Sequence, residues 1–257
     1  MSRSKPNSGA VSPVEQYFQW SGSEGKISYY DRTKEVNEFI PKMSFIVLDE
    51  LHTITGFSDK DSSSIRGTDV KSLDTPITMY IGKKKITTNT YENLKNMTGV
   101  KYAKSLYVAV ITKTELKVCK ILLAGAAFGA WLDFLKGEND YKDGGKVNPM
   151  AAGVGIKIVG KSKPKKKGSN TYFEPVFQVF TITEEQEKEA MLLDGTLQEY
   201  FENRAKVSTT TTNTDHEDTD NEPVDKKPST KKSKPKDEEE EEEDEDIDAD
   251  GIDDLPF

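Results

Sequence analysis

Between Val207 and Phe257 the chain carries 20 acidic and 6 basic residues, and its large apolar side chains there are Val207, Val224, Ile247, Ile252, Leu255 and Phe257. Ordering a residue costs about 1–2 kcal/mol of backbone entropy, and a segment this poor in apolar surface has little burial to offset it. Residues 207–257 are therefore expected to form a disordered acidic tail. The folded body is expected within residues 17–206, preceded by a flexible Ser-, Pro- and Gly-rich segment, residues 1–16.

Separating the tail changes the meaning of the charge. The whole chain has a net charge of −9, but residues 1–206 hold 30 basic and 25 acidic residues. A mildly basic body joined to a strongly acidic tail suits a polyanion as ligand, with the tail competing for the same surface. The single cysteine, Cys119, excludes an internal disulfide, and Cys119 with His52 and His216 makes no metal-binding spacing. No metal or cofactor is expected. The opening "MSRSKPNSGAVSP" has no apolar stretch of the signal-peptide kind. The longest apolar run, "ILLAGAAFGAWL", falls short of the roughly 20 residues of a membrane span. An intracellular, reducing location away from membranes is expected.

The body reads mainly as strands. "GKISYYD" (residues 25–31) and "SFIVLDELHTITGF" (44–57) are aromatic and β-branched, the second long enough to bend. "ITMYI" (77–81) and "ITT" (86–88) flank a lysine-rich hairpin tip. "YAKSLYVAVIT" (102–112) and "ELKVCKILLAG" (115–125) form a second hairpin pattern. "AAFGAWLDFLKG" (126–137) is helical, with Phe128, Trp131, Leu132 and Leu135 on one face. "GVGIKIVGKSK" (153–163) and "TYFEPVFQVFTI" (171–182) read as paired strands joined by the basic loop "KSKPKKKGSN". A helix follows, opened by the capping signal of Thr183 with Gln186 and weakened by Gly195. With no βαβ alternation, the expected architecture is mainly β with short helices, an OB-fold-type barrel with insertions.

Catalytic patterns are missing from the sequence, and no enzyme is expected. "GVGIKIVG" places Gly160 wrongly for a dinucleotide fingerprint, and "IGKKKITT" lacks the glycine spacing of a phosphate loop. His52 and Cys119 are isolated in strand patterns. Asp49 and Glu50 are adjacent strand residues, so they point to opposite faces and make no carboxylate pair.

Binding is the better reading. Lys83, Lys84 and Lys85 form one basic cluster, and Lys157, Lys161, Lys163, Lys165, Lys166 and Lys167 a second. Lys101 and Lys104 interleave with Tyr102 and Tyr107, and Tyr172 and Phe173 follow the second cluster. Cations that track phosphates beside rings that accept unstacked bases are the two devices that hold a single strand without reading its sequence. Trp131, Phe45 and Phe177 are expected in the core; for Tyr29, Tyr30, Tyr102, Tyr107, Tyr172 and Phe173, core and exposed readings both stand.

The ending "DDLPF", Asp253 to Phe257, after an acidic segment resembles the C-terminal tip of bacterial and phage single-stranded-DNA-binding proteins. The body, with "YFQWSGSEGKISYYD", "FIVLDELHTITGFSD" and "GAWLDF", looks like phage-encoded members of that group. The resemblance implies an OB-type body that coats single-stranded DNA during phage replication, recombination and repair, in the cytoplasm of an infected bacterium. It implies a tip (Asp253, Asp254, Leu255, Pro256, Phe257) that recruits enzymes such as a polymerase, helicase or primase through an apolar pocket with a basic rim. Leu255 stands where isoleucine is common, a change between hydrocarbons of similar volume. The opening differs from that of the common bacterial protein, so its tetramer is not carried over and the oligomeric state stays open.

Three alternatives remain open at this level. A chromatin-type protein would use the acidic tail to bind histones or other basic proteins and "KKPSTKKSKPK" (226–236) as an import signal. An annealing mediator would share the binding chemistry. Stacking and phosphate contacts do not by themselves distinguish RNA from DNA.

Overall fold

The computed structural model describes residues 11–137 and 146–210, with side chains as far as Arg204. The expected flexible segment up to Ala10, the acidic run and the tip lie outside the described residues.

The strands are β1 (Gln16–Ser21), β2 (Lys26–Asp31), β3 (Val36–Ile40), β4 (Met43–Ser58), β5 (Ser63–Gly67), β6 (Ile77–Ile81), β7 (Lys84–Asn89), β8 (Val100–Ile111), β9 (Leu116–Ala124), β10 (Val154–Lys161), β11 (Lys165–Lys167), β12 (Asn170–Tyr172) and β13 (Pro175–Thr181). The helices are α1 (Tyr91–Leu94), α2 (Ala126–Lys136) and α3 (Glu184–Thr210). Eleven strands form one mixed sheet in the order β3-β2-β1-β9-β8-β4-β5-β6-β7, with β10 and β13 branching from β4; β11 and β12 form a separate two-stranded hairpin. The β1–β9 pair is parallel, which brings the N-terminal hairpin beside a strand some hundred residues later.

The 16-residue strand β4 organises everything else. One edge pairs with β8 along most of its length; the other pairs with β10 near its start, at Met43–Phe45, and with β5 at its end, at Thr55–Ser58. A bulge between Val47 and Asp49 flips the alternation of faces. Phe45 and Val47 therefore point to one side before the bulge, and Glu50, His52 and Ile54 point to that same side after it.

That side holds the main core, where Phe18, Ile27, Phe45, Leu106, Ile121, Ile156 and Phe177 close on Trp131 and Phe134 of α2. The buried face of α2 is Ala127, Ala130, Trp131 and Phe134; Phe128 and Leu135 are only partly covered, so the helix sits rotated from the face expected from sequence. The small alanines let α2 approach the strands closely. On the opposite side of the sheet, α3 lays Leu193, Leu197, Tyr200 and Phe201 over Leu51, Tyr107 and Val118. The expected capping box is formed: the Gln186 amide donates to Thr183 Oγ1 at 3.2 Å, and the Thr183 amide to Gln186 Oε1 at 3.1 Å. Gly195 does not interrupt the helix, which is described over the 27 residues Glu184–Thr210, past the expected start of the tail at Val207. It is thus longer than the short helices anticipated.

Strands β5, β6 and β7 with α1 form an arm with its own small core of Ile54, Ile65, Val70, Ile77, Met79 and Leu94. The arm grips the sheet where Gly56 crosses Gly99, so tightly that a Cβ on Gly56 would stand 1.8 Å from the Gly99 carbonyl oxygen.

The fold is mainly β, as expected, but no ladder closes the sheet into a barrel among the described residues. The run β2-β1-β9-β8-β4-β10-β13 curls around α2, and its two ends meet through two hydrogen bonds. The Trp20 indole nitrogen donates to the Phe173 carbonyl at 2.8 Å, and the Phe173 amide donates to the Gly22 carbonyl at 2.8 Å.

Candidate nucleic-acid interface

The meeting point of those two ends gathers the second lysine cluster with three rings. β10 runs past the start of β4 to Lys161, and Ser162 and Glu174 pin the base of the β11–β12 hairpin by two hydrogen bonds, at 2.8 and 3.0 Å. The Lys161 ammonium stands 3.8 Å from the centroid of the Phe173 ring. Lys163, Lys165, Lys166 and Lys167 are exposed on the hairpin, and Lys165 pairs with Glu174 at 2.7 Å. Tyr172 and Trp20 are half-buried beside them. Trp20 was not picked out by sequence reasoning, which had no means of pairing β1 with a segment 150 residues away.

Gly25 makes this convergence feasible. It closes the β1–β2 turn with a left-handed φ of +63°, and a Cβ there would stand 2.3 Å from Lys161 Cδ and 3.1 Å from Phe173 Cβ. Only a glycine lets the lysine stem pass beneath the turn and reach the ring.

Other expected contacts are placed elsewhere. Lys157 lies half-buried on β10, away from the hairpin tip. Lys83 is in the β6–β7 turn and Lys84 and Lys85 are on β7, all exposed. Since Ser58 pairs with Ser63 and the Gly82 amide bonds the Ser64 carbonyl, this tip lies past the end of β4. The two lysine clusters therefore sit at opposite ends of a strand about 50 Å long.

Along β8 the interleaved residues divide by face. Lys101 is exposed. Tyr107 is 3% exposed under α3, its hydroxyl donating to Asp69 at 2.5 Å, so the structure removes it from the expected interface. Asp69 also accepts from Ser105 at 2.7 Å and pairs with Lys120 at 3.0 Å. Burial alone would raise the Asp69 pKa, but Lys120, Tyr107 and Ser105 outweigh it and hold the carboxyl below its ordinary value.

Tyr102 and Lys104 point to the α2 side, in the band between the main core and the arm's core. The Tyr102 ring meets Phe128 and Tyr91 edge-on at 5.0 and 5.4 Å, and its hydroxyl lies 2.6 Å from His52 Nδ1. Lys104 pairs with Glu50 at 3.4 Å, and Glu50 accepts the Trp131 indole proton at 3.1 Å. Burial, then the nearby Lys104 charge, lower the His52 pKa to about 4, while burial raises that of Tyr102. Near pH 7 His52 is therefore neutral, and it shares this hydrogen bond with the Tyr102 hydroxyl, the donor being set by the imidazole tautomer. These contacts tie α2 to the sheet and pair Tyr102 and Lys104, both partly buried, with the protein's own side chains.

Asp49 faces α3, accepting from Gln198 at 3.1 Å, while Glu50 faces α2, so the two carboxylates do not converge. Burial pushes the Cys119 thiol up to about 12, which leaves it a neutral packing residue. Among the described residues no three His, Cys, Asp or Glu side chains are grouped to hold a metal ion, and no helix is long and apolar enough to cross a membrane.

No family model, curated protein or solved structure matches the chain.

Proposed function

We propose that the protein binds single-stranded DNA without sequence preference, through the surface at the junction of β1, β10 and the β11–β12 hairpin. The observation that carries this reading is the convergence of Trp20, Tyr172 and Phe173 with Lys161 and the hairpin lysines at one end of the curled sheet. A ring beside a cation is the arrangement that receives an unstacked base and its phosphate together, each stacked base contributing on the order of 1–3 kcal/mol. In this reading the run around α2 does the work of an OB-type barrel, and the arm and α3 are additions to it. The acidic segment and the tip, Asp253 to Phe257, serve as a tethered ligand for replication and recombination enzymes, with the α-carboxylate and ring of Phe257 read together. The setting is phage DNA metabolism in a bacterial cytoplasm.

The test is fluorescence anisotropy of the full chain with labelled oligo-dT, duplex DNA and RNA across a salt series, repeated on a chain truncated after Thr210. Tight, salt-dependent binding to oligo-dT, weak binding to duplex and tighter binding by the truncated chain are expected. Equal affinity for single and double strands would overturn the reading; a preference for RNA would reassign the substrate. Residues appended after Phe257 are expected to abolish enzyme recruitment and leave strand binding unchanged.

A further inference from the structure

The solvent face of the arm carries a row of residues that the surface described above does not use. Strand register pairs Lys101 with Thr55, Thr55 with Arg66, Arg66 with Tyr80, and Tyr80 with Lys85. Directly opposed residues share a face, and neighbouring strands lie about 4.8 Å apart, so three cations and a ring stand in line over roughly 20 Å. Their sequence neighbours Ile54, Ile65, Met79 and Val100 pack the arm's core, which fixes the row on the outside. Arg66 Nη2 donates to the Gly82 carbonyl at 2.9 Å, holding the guanidinium against the sheet next to the hairpin tip, where Lys83 adds charge. Tyr80 thus lies between Arg66 and Lys85 on a platform with a packed underside.

Resting on the single-strand reading, we propose that this row is a second contact surface for single-stranded nucleic acid, Tyr80 accepting a base and Lys101, Arg66 and Lys85 the flanking phosphates. It is engaged only by strands long enough to reach it from the β11–β12 hairpin. The register places the two surfaces at opposite ends of β4, a 16-residue strand of about 50 Å. A strand held at the hairpin meets the arm at high effective concentration once it spans that distance, and gains nothing from it before. An acidic peptide is the rival occupant of such cations, and Tyr80 separates the two: a ring between cations matches a base between phosphates, whereas a polyacid has no use for it.

The experiment compares dT6 with dT30, about 20 and 100 Å at 3.4 Å per stacked nucleotide. The full chain and its Tyr80→Ala and Lys85→Ala/Lys101→Ala variants are measured by anisotropy, with thermal melts to confirm that these surface changes leave the fold intact. Each variant is expected to weaken dT30 at least five-fold and to leave dT6 within two-fold. The double-lysine variant should also lower the salt slope on dT30 by roughly 1.4, about 0.7 for each lost phosphate contact. Unchanged dT30 affinity, or equal losses on both lengths, overturns the second surface. Losses with the lysine variant but none with Tyr80→Ala overturn the base-stacking assignment in favour of a plain charge contact. Failure of the unaltered chain to bind either oligonucleotide would instead bring down the single-strand reading itself.

Discussion

Lys161 places its ammonium 3.8 Å from the centroid of the Phe173 ring, on the residue whose carbonyl also accepts the Trp20 indole proton. A strand that stacks on Phe173 changes the surroundings of that indole. The chain has two tryptophans, and the other, Trp131, is fully buried, so a fluorescence change on adding oligo-dT is expected to come from Trp20. The change should vanish in Trp20→Phe and persist in Trp131→Phe. Phe173→Ala is expected to lower oligo-dT affinity roughly 5- to 160-fold, the value of one stacked base; an unaltered affinity would remove Phe173 from the interface.

Beneath α3, Lys120 and Asp69 are both almost fully buried and 3.0 Å apart. Removing one partner leaves a buried charge without its counter-charge. Lys120→Met is therefore expected to cost about 3–5 kcal/mol, and the double variant Lys120→Met/Asp69→Asn markedly less than the two single changes added together. Urea unfolding of the three variants measures this coupling, and simple additivity would show the pair to be independent.

The neutral His52 makes stability depend on pH in one direction. Its folded pKa, about 4, lies below the unfolded value of 6.5, so between these values the unfolded chain binds the proton first. The stability is present above pH 6.5 and is lost as pH falls toward 4. Because the imidazole is only partly buried, solvent screening limits the effect to about 1 kcal/mol. Melting temperatures from pH 7.5 to 4.5 should fall less steeply in His52→Gln than in the unaltered chain; parallel curves would show that His52 titrates normally.

Two glycines should respond oppositely to alanine. At Gly195 an added Cβ meets nothing within 4 Å, so Gly195→Ala should raise stability by about 0.5–1 kcal/mol. At Gly25 it meets the Lys161 stem, in a left-handed conformation. Gly25→Ala should lower stability by about 1–2 kcal/mol and weaken oligo-dT binding together. Denaturation midpoints and anisotropy on the same preparations decide both.

The readings that held came from local chemistry. Alternation in residues 102–125 forecast the β8–β9 hairpin, the length of the apolar pattern from Ser44 forecast a bent β4, and Thr183 with Gln186 forecast the start of α3. In each case the determining residues are neighbours in the chain, so their spacing alone carries the information. The deep burial of Trp131, Phe45 and Phe177 was legible for the same reason, from their apolar surroundings.

Which rings and cations meet was decided by pairings between distant segments. Alternation makes Tyr102 and Tyr107 equivalent candidates, yet α3 covers one and Phe128 of α2 meets the other. A bulge at Leu48 flips the faces of β4, a shift of one residue that no periodicity announces. The two lysine clusters look alike as sequence, and only the pairing of β10 and β5 with β4 sets them at opposite ends of that strand. Sequence by itself determined the composition of the surface, basic in the body and acidic in the tail. Tertiary structure decided its geometry, because a strand's two edges and two faces acquire meaning only when distant partners are in place.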